Sequence, residues 1–558
     1  MTDPVQIKPG RRPQLKPYFQ VGYFLLLIWL LSTGGYLELQ SGVVDMSVKA
    51  VLFLKSSLAG LGVIFVGMTL VYAVVWVGKT TVAEHDERHA LLDAARQIQE
   101  KVEDPQTFAL EIRGAGLAVD GWQQSNIWRL IQEKNDNFVS IYSQDPKDYP
   151  DNAHSRSITA DINIRAAARH SAREAVAYWP IPTFALGPPK QPRHTGAAGN
   201  ILAARNAATL GVTLFLWQEA DNTTHAQATI ERLFSFFDEN PSVPQALLIS
   251  RDGDDIRTLY RARGTPGLPD GHYVPTLFES MTGLLVSRTD RVDRYIRPYA
   301  LDEKANNQDK SSSLGMLWAF YWASDRQFDD WYEAAQRAQG REDHYSPGTM
   351  STAYWQAQLP ALQYKLGNQY GPGGHFQASS WLPIRWTKGQ LKEFDTAPML
   401  GYLHRPIKVP MTDTNGQLLK PALQALALQA GWERALATLP EGEKPVRVFY
   451  DSTDNIDGVI ALHVALSHLN LDGTGLAPSN VNEGYDIGRR LGNTGVSSAL
   501  VQINLATIAS YHSGGISAVV YSGSDASATI QMVRPPDETS KARNTQWRGK
   551  DPFKYGAP

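Results

Sequence analysis

The 558-residue chain contains no cysteine. That excludes disulfides, thiolate-ligated zinc, iron–sulfur clusters and any thiolate nucleophile. An excess of charge of one sign is also lacking. Lys and Arg number 53 against 56 Asp and Glu, a formal net charge of -3. Nucleic-acid-binding proteins carry a basic patch or stripe, so no nucleic-acid partner is expected. Familiar catalytic signatures are missing too: there is no Walker A loop, G-x-S-x-G elbow, H-E-x-x-H motif or EF-hand loop. No catalytic, cofactor-binding or metal-ligating residue is therefore assigned, and no cofactor is expected. What remains is a composition of 43% hydrophobic and 20% charged residues, with 14 Trp and 23 Tyr. That is globular material with ample side chains for a large core.

Two long stretches carry no charge, residues 18–37 and 57–78. Each is about 20 residues, the length of a helix across a hydrocarbon core of about 30 Å. Tyr18, Trp29, Tyr36, Tyr72 and Trp76 give them aromatic residues of the kind found at membrane interfaces. No small-x-small cleavage site follows the first, which argues against a signal peptide. Residues 18–78 thus read as a transmembrane hairpin whose partner is the lipid bilayer. Lys8, Arg11, Arg12 and Lys16 precede it in a basic tail, residues 1–17, and Lys79, Arg88 and Arg96 follow it. The connecting loop, residues 38–56, balances Lys49 and Lys55 against Glu38 and Asp45. By the positive-inside rule both ends of the chain face the cytoplasm.

Residues 79–150 read as a linker helix over 80–103 and a small α/β segment. The linker contains His85-Asp86-Glu87-Arg88-His89. Histidines four apart share a helix face, but the zinc-protease motif needs Glu directly after the first. Asp86 stands there, so a plain connector is preferred. Residues 151–300 alternate apolar runs with helical periodicity, as in 181–187, 211–217, 226–240, 246–250 and 283–287. The pattern is that of an α/β unit with a largely parallel sheet. Residues 301–400 differ, with Trp318, Trp322, Trp331, Trp355, Trp381 and Trp386 in helices and long loops. The alternation returns over 401–535. The expected architecture is therefore α/β in two halves, 151–300 and 401–535, separated by an aromatic-rich insertion. The tail, 536–558, lacks apolar periodicity and reads as disordered.

Candidate sites are few. Asp451, Asp454 and Asp457 lie three apart, whereas a calcium loop needs ligands at alternate positions and a later Glu. An Asp between strand and helix reads as a helix cap. The stretch LGNTGVSSAL, 491–500, is more specific. Gly492, Gly495, Ser497, Ser498 and Ala499 permit close backbone approach, and Asn493 can present its amide to a site. Tight helix–sheet packing alone would also use small residues there. Together with the following helix and two strands, this segment resembles the carboxyl end of thiolase-fold enzymes, especially ketoacyl synthases. The resemblance implies a thiolase-like two-half fold and an active-site role for Asn493. It also implies a Cys nucleophile near Asn222, Thr223 and Thr224, where none stands. His463 lies in an amphipathic helix pattern and reads as structural.

A wider resemblance spans residues 140–535. The segments YWPIPTFALGPPK, 178–190, ERLFSFFDENPSVPQALLISRDG, 231–253, and GLLVSRTDRVDRYIRPYA, 283–300, are similar to the lipase adaptor family of bacterial type VI secretion systems. The resemblance implies a non-enzymatic adaptor at the bacterial inner membrane. It would hold a phospholipase effector and load it onto the VgrG-type spike protein. The aromatic stretch 314–390 is the candidate cargo surface, with ordinary core packing as the competing account. Two other functions stay open: a thiolase-like or hydrolase-type enzyme using Ser or Thr in place of Cys, and a structural envelope protein.

Overall fold

A computed structural model describes residues 15–39, 46–135, 138–188, 196–219, 225–259, 261, 264–302, 307–340, 346–367, 376–471, 473–523 and 526–554, apart from 101–107; over 76–100 it describes the backbone alone. Residues 1–101 and 102–558 form separate units.

The first unit is a helical hairpin. Helix α1, Lys16–Leu39, and the 55-residue α2, Met46–Glu100, pack side by side. Trp29 Nε1 donates to the Ser56 carbonyl (3.0 Å), and Tyr18 meets Tyr72 edge-on with centroids 5.5 Å apart. Within these helices, Lys16–Leu39 and Val48–Val75 are long and apolar enough to cross a membrane. The expected loop over 38–56 is shorter than predicted, because α2 already begins at Met46. MSVKAVLFLKS is an apolar, helix-compatible run, and its two lysines can lie along a helix surface with their charge in water. His85 and His89 fall where the backbone alone is described, within this helix.

The second unit is built on one continuous sheet. Its first strand, β1 (Leu110–Val119), pairs with the two-residue β2 (Trp122–Gln123) and precedes α3, Ser125–Glu133. Then come α4 (Ala153–Ala172), β3 (Pro180–Leu186), α5 (Gly196–Ala208) and β4 (Leu214–Trp217). Helix α6 (Ala226–Glu239) follows, then β5 (Gln245–Asp252), α7 (Asp254–Leu259), β6 (Ser280–Ser287) and α8 (Thr289–Tyr295). The insertion supplies α9 (Ser313–Ala338), α10 (Thr352–Leu366) and α11 (Lys388–Thr396). The second half begins with β7 (Gly401–Leu403), β8 (Ile407–Pro410), α12 (Pro421–Leu436), β9 (Pro445–Tyr450) and α13 (Ile456–Leu471). It ends with β10 (Gly484–Asp486), α14 (Ile487–Leu491), α15 (Ser498–Ser513), β11 (Ile516–Ser522), β12 (Ser527–Arg534) and α16 (Glu538–Arg548).

The strand order is β10-β9-β11-β12-β7-β1-β6-β5-β3-β4. Read outward from the β7–β1 junction, both halves follow one rule. The first main strand sits at the junction, followed by the fifth, fourth, second and third. Directions repeat as well. In each half the fifth strand is antiparallel to both neighbours, and the remaining pairs are parallel. The halves join antiparallel, Leu110 opposite Leu403 and Ile112 opposite Gly401. The α/β two-half architecture is thus present as a topological repeat, in a mixed rather than largely parallel sheet.

Two boundaries are corrected. The first half starts at β1, not near residue 151. Glu111, Arg113, Gly114 and Gly116 broke the apolar pattern, yet Arg113 is buried and bonded to Glu111, Ser287 and Thr289. The tail 536–558 is also not disordered throughout: α16 is capped by Asp537, which accepts from Ser540 N (2.8 Å). Buried Asn544 bonds both backbone groups of Met399 (3.1 and 2.7 Å), and Phe553 is buried. Polar side chains anchor this segment, so it needs no apolar period.

Strands β3, β5 and β6 are buried at every residue, because helices cover both faces of the sheet. The Ala-rich faces of α4 and α5 cover one side. On the other side α15 packs against β1, β6, β7, β9, β11 and β12, and thirteen of its sixteen residues are buried. The aromatic insertion joins this core. Trp355, Trp381 and Trp386 are buried, and Tyr321 Oη donates to the Phe215 carbonyl (2.6 Å). Among its described residues the prominent exposed aromatics are Trp331 and Tyr364, so core packing accounts for most of the described part of 314–390.

Candidate functional site

A cleft of about 940 Å³ opens where the halves meet. The first half contributes His225 and Ala226 at the start of α6, with Arg257 on α7. The second contributes the ends of β9 and β11 through Tyr450, Asp451 and Val520–Ser522, together with Asn493, Ser498 and the first turn of α13. Carboxyl ends of strands in open α/β sheets are where ligand crevices form, because helices begin there and side chains diverge.

Asp252 holds the junction. It ends β5, is fully buried, and accepts from Gly253 N and from the Nε and Nη2 of Arg257, each at 2.8 Å. Its fourth bond crosses the halves, from Val496 N at 2.8 Å. Gly495 has φ +57°, and a Cβ there would collide with the Asp252 carboxylate; Gly492 has φ +79° and faces Phe278. The close approach expected of these two glycines is thus found, and at both a positive φ adds a conformational need for glycine.

Asn493 lines the cleft, but its Oδ1 accepts from Gly495 N (2.9 Å), which turns the chain into α15. His463 does not line it. Its Nε2 sits 3.2 Å from Tyr450 Oη, and burial lowers its pKa, so it is neutral at pH 7. The structure does not pair Asn493 with His463. Asn222, Thr223 and Thr224 lie outside the described residues.

The cleft's chemistry centres instead on Asp451 and Ser498, a pair that pattern reading did not find. The Ser498 hydroxyl donates to Asp451 Oδ2, and Asp451 Oδ1 accepts from Thr453 N (2.8 Å). Burial raises the Asp451 pKa, while these hydrogen bonds oppose the rise. Asp451 therefore ties a turn to α15 and does not cap α13, which begins five residues later. The amide of Gln502, with its nitrogen toward the Phe449 and Val520 carbonyls, sets Oε1 3.2 Å from Ser498 Oγ. None of the hydrogen bonds described for Ser498 reaches an imidazole. Among the described residues, no three His, Asp or Glu side chains are grouped to hold a metal ion.

The two halves also match two family models. Residues 108–270 match the N-terminal model of the type VI lipase adapter protein Tla3, and residues 400–535 match its C-terminal model. Together these cover more than half of the chain. The chain belongs to the Tla3 family of type VI lipase adapter proteins. The Tla3 matches start at β1 and at the approach to β7, the two junction strands.

Solved structures that resemble the chain include ketosynthases and polyketide synthases. A Streptomyces albus JA3453 oxazolomycin ketosynthase domain is 9% identical with TM-score 0.34, covering 77% of this chain and 96% of its own. The ishigamide ketosynthase/chain length factor is 9% identical with TM-score 0.37, covering 77% and 100%. A fungal type III polyketide synthase is 12% identical with TM-score 0.35, covering 77% and 100%. The two-half architecture rests on strand order, and family membership on the Tla3 models.

Proposed function

We propose that this protein is a membrane-tethered, non-catalytic adaptor. It binds a phospholipase effector in the cytoplasm of the producing cell and loads it onto a VgrG-type spike protein. The observation that carries this reading is the match of both halves to the lipase adapter family. The state of the cleft supports it. None of the hydrogen bonds described for Ser498 reaches an imidazole, and Asn493 spends its carbonyl on the backbone. A serine nucleophile needs a positioned base to take its proton in the attack, usually imidazole. Two candidate spans, with cations on both outer flanks, support tethering at the inner membrane with the large unit in the cytoplasm.

The competing reading is a hydrolase or acyl transferase in which Ser498 acts from the cleft. Ser498→Ala separates the two, provided its melting curve matches wild type. An adaptor retains lipase secretion with this variant, whereas an enzyme loses acyl turnover. Co-purification in mild detergent is the direct test. If neither a lipase nor a spike protein accompanies the chain from cells running the secretion system, the adaptor reading falls. A reporter fused after residue 558 checks the orientation, since a periplasmic signal would reverse it.

A further inference from the structure

Eight of the seventeen exposed large apolar side chains described beyond residue 101 fall between Leu418 and Leu471. Helix α13 carries the densest part. Ile456, Ile460 and Val464 are 68%, 52% and 41% exposed, and Leu471 at its end is 86% exposed. Spacings of four place the first three in one stripe on the outer face. The opposite face, with Ala461, Leu462, Ala465, Leu466 and Leu469, is buried in the core. Past Asp457 the helix has no Lys, Arg, Asp or Glu. Exposed Ser467, His468 and Asn470 make its last turns polar, so the uncovered apolar stripe is Ile456, Ile460 and Val464, with Leu471 at the end.

Its neighbour α12 extends the surface with exposed Leu423 and Leu426, and Leu418 lies just before it. The surface runs into the cleft, because Leu418, Ile456 and Val459 are also cleft walls. Exposed Asp454 and Asp457 stand at the lip where stripe and cleft meet.

We propose that the outer face of α12 and α13, with the adjoining cleft lip, is the docking surface for the lipase. It receives an apolar segment of the lipase flanked by Lys or Arg. This rests on the adaptor reading above. Charge selects among occupants. An anionic bilayer surface calls for a face lined with Lys or Arg; here the lip carries two exposed carboxylates, Asp454 and Asp457, against one exposed cation between Leu418 and Leu423, Lys420. A second copy docking antiparallel would set each Asp457 against the carbonyl end of the other α13, negative against negative. A cationic, apolar partner segment satisfies both the stripe and the lip.

The test uses the full chain in lipid nanodiscs and a purified type VI lipase effector from the same bacterium, with affinity measured by interferometry. The double variant Ile460→Asp, Val464→Asp should bind at least ten-fold more weakly. Trp331→Asp, in the insertion, should bind as wild type does. Both positions of the double variant already face water, and its melting curve checks folding. Asp454→Asn with Asp457→Asn gives a second measurement independent of packing. It should weaken binding several-fold and flatten its salt dependence. Unchanged affinity in both variants, with wild type binding, overturns the surface but spares the adaptor reading. Failure of wild type to bind overturns the adaptor reading itself. A dimer of the wild type that dissociates in the Ile460 variant, seen by light scattering, would assign the face to a second copy and also overturn the proposal.

Discussion

Glu279 offers a sharp test of the electrostatics around the cleft's supporting turn. It immediately precedes β6 and is buried, and its Oε1 accepts from Asp255 N at 2.5 Å. Burial pushes its pKa from 4.5 up to about 8, with Asp255 and Asp254 adding to the rise and the Asp255 N–H and Arg251 opposing it. In the unfolded chain the carboxyl loses its proton near 4.5, while in the folded protein it keeps it to about pH 8. The folded state binds more protons across that window, so stability falls as pH rises through it. At about 1.4 kcal/mol per pH unit, the full span amounts to about 4 to 5 kcal/mol. Glu279→Gln keeps an acceptor for Asp255 N and cannot ionise. Near pH 5 it should lie within about 1 kcal/mol of wild type, as both side chains are then neutral. At pH 8.5 it should be the more stable by about 3 to 5 kcal/mol. Part of the decline should persist in the variant between pH 4 and 6, because half-buried Asp120 is raised to about 6 and acts in the same direction. Urea unfolding at pH 5, 6.5 and 8.5, followed by tryptophan fluorescence, reads all of this. Parallel pH profiles for the two proteins would refute the assignment of a buried proton to Glu279.

Two further substitutions probe other joints. Gly495→Ala forces an L side chain into φ +57° and against the Asp252 carboxylate. It should cost about 1 to 2 kcal/mol for the backbone alone, and more through the displaced Val496 bond, read as a lowered urea midpoint. Asn544→Ala removes both bonds to Met399 from a buried site. It should cost about 1 to 3 kcal/mol and make residues 536–554 the first segment cut in limited proteolysis.

Legibility in the sequence followed chemistry that repeats. The runs at 181–187, 246–250 and 283–287 became β3, β5 and β6 because strands covered on both faces need apolar side chains at every position. Strand β1 escaped notice because its charges are satisfied by partners more than 170 residues away, such as Ser287 and Thr289. At three residues each, β7 and β10 are too short for any period to show. Aromatic residues marked the insertion, but sequence pattern alone does not tell an inward Trp355 from an outward Trp331. At the site, Asn493 was legible as a cleft residue. The tie between Asp252 and Val496 was not, since RDGDD has the composition of an ordinary turn and its partner lies 244 residues on.

Helix α15 has a consequence for how the chain can be divided. It is near the end of the sequence, yet it packs on β1 and β6 of the first half as well as on β7, β9, β11 and β12 of the second. A ribosome must therefore reach about residue 513 before the first half acquires this layer. Until then β1 and β6 present an uncovered apolar face, a period in which a chaperone or rapid folding would matter. Expressing residues 108–400 alone would make that transient state permanent. The two family-matched regions are thus repeats in topology but not independent modules, and neither is expected to fold without the other.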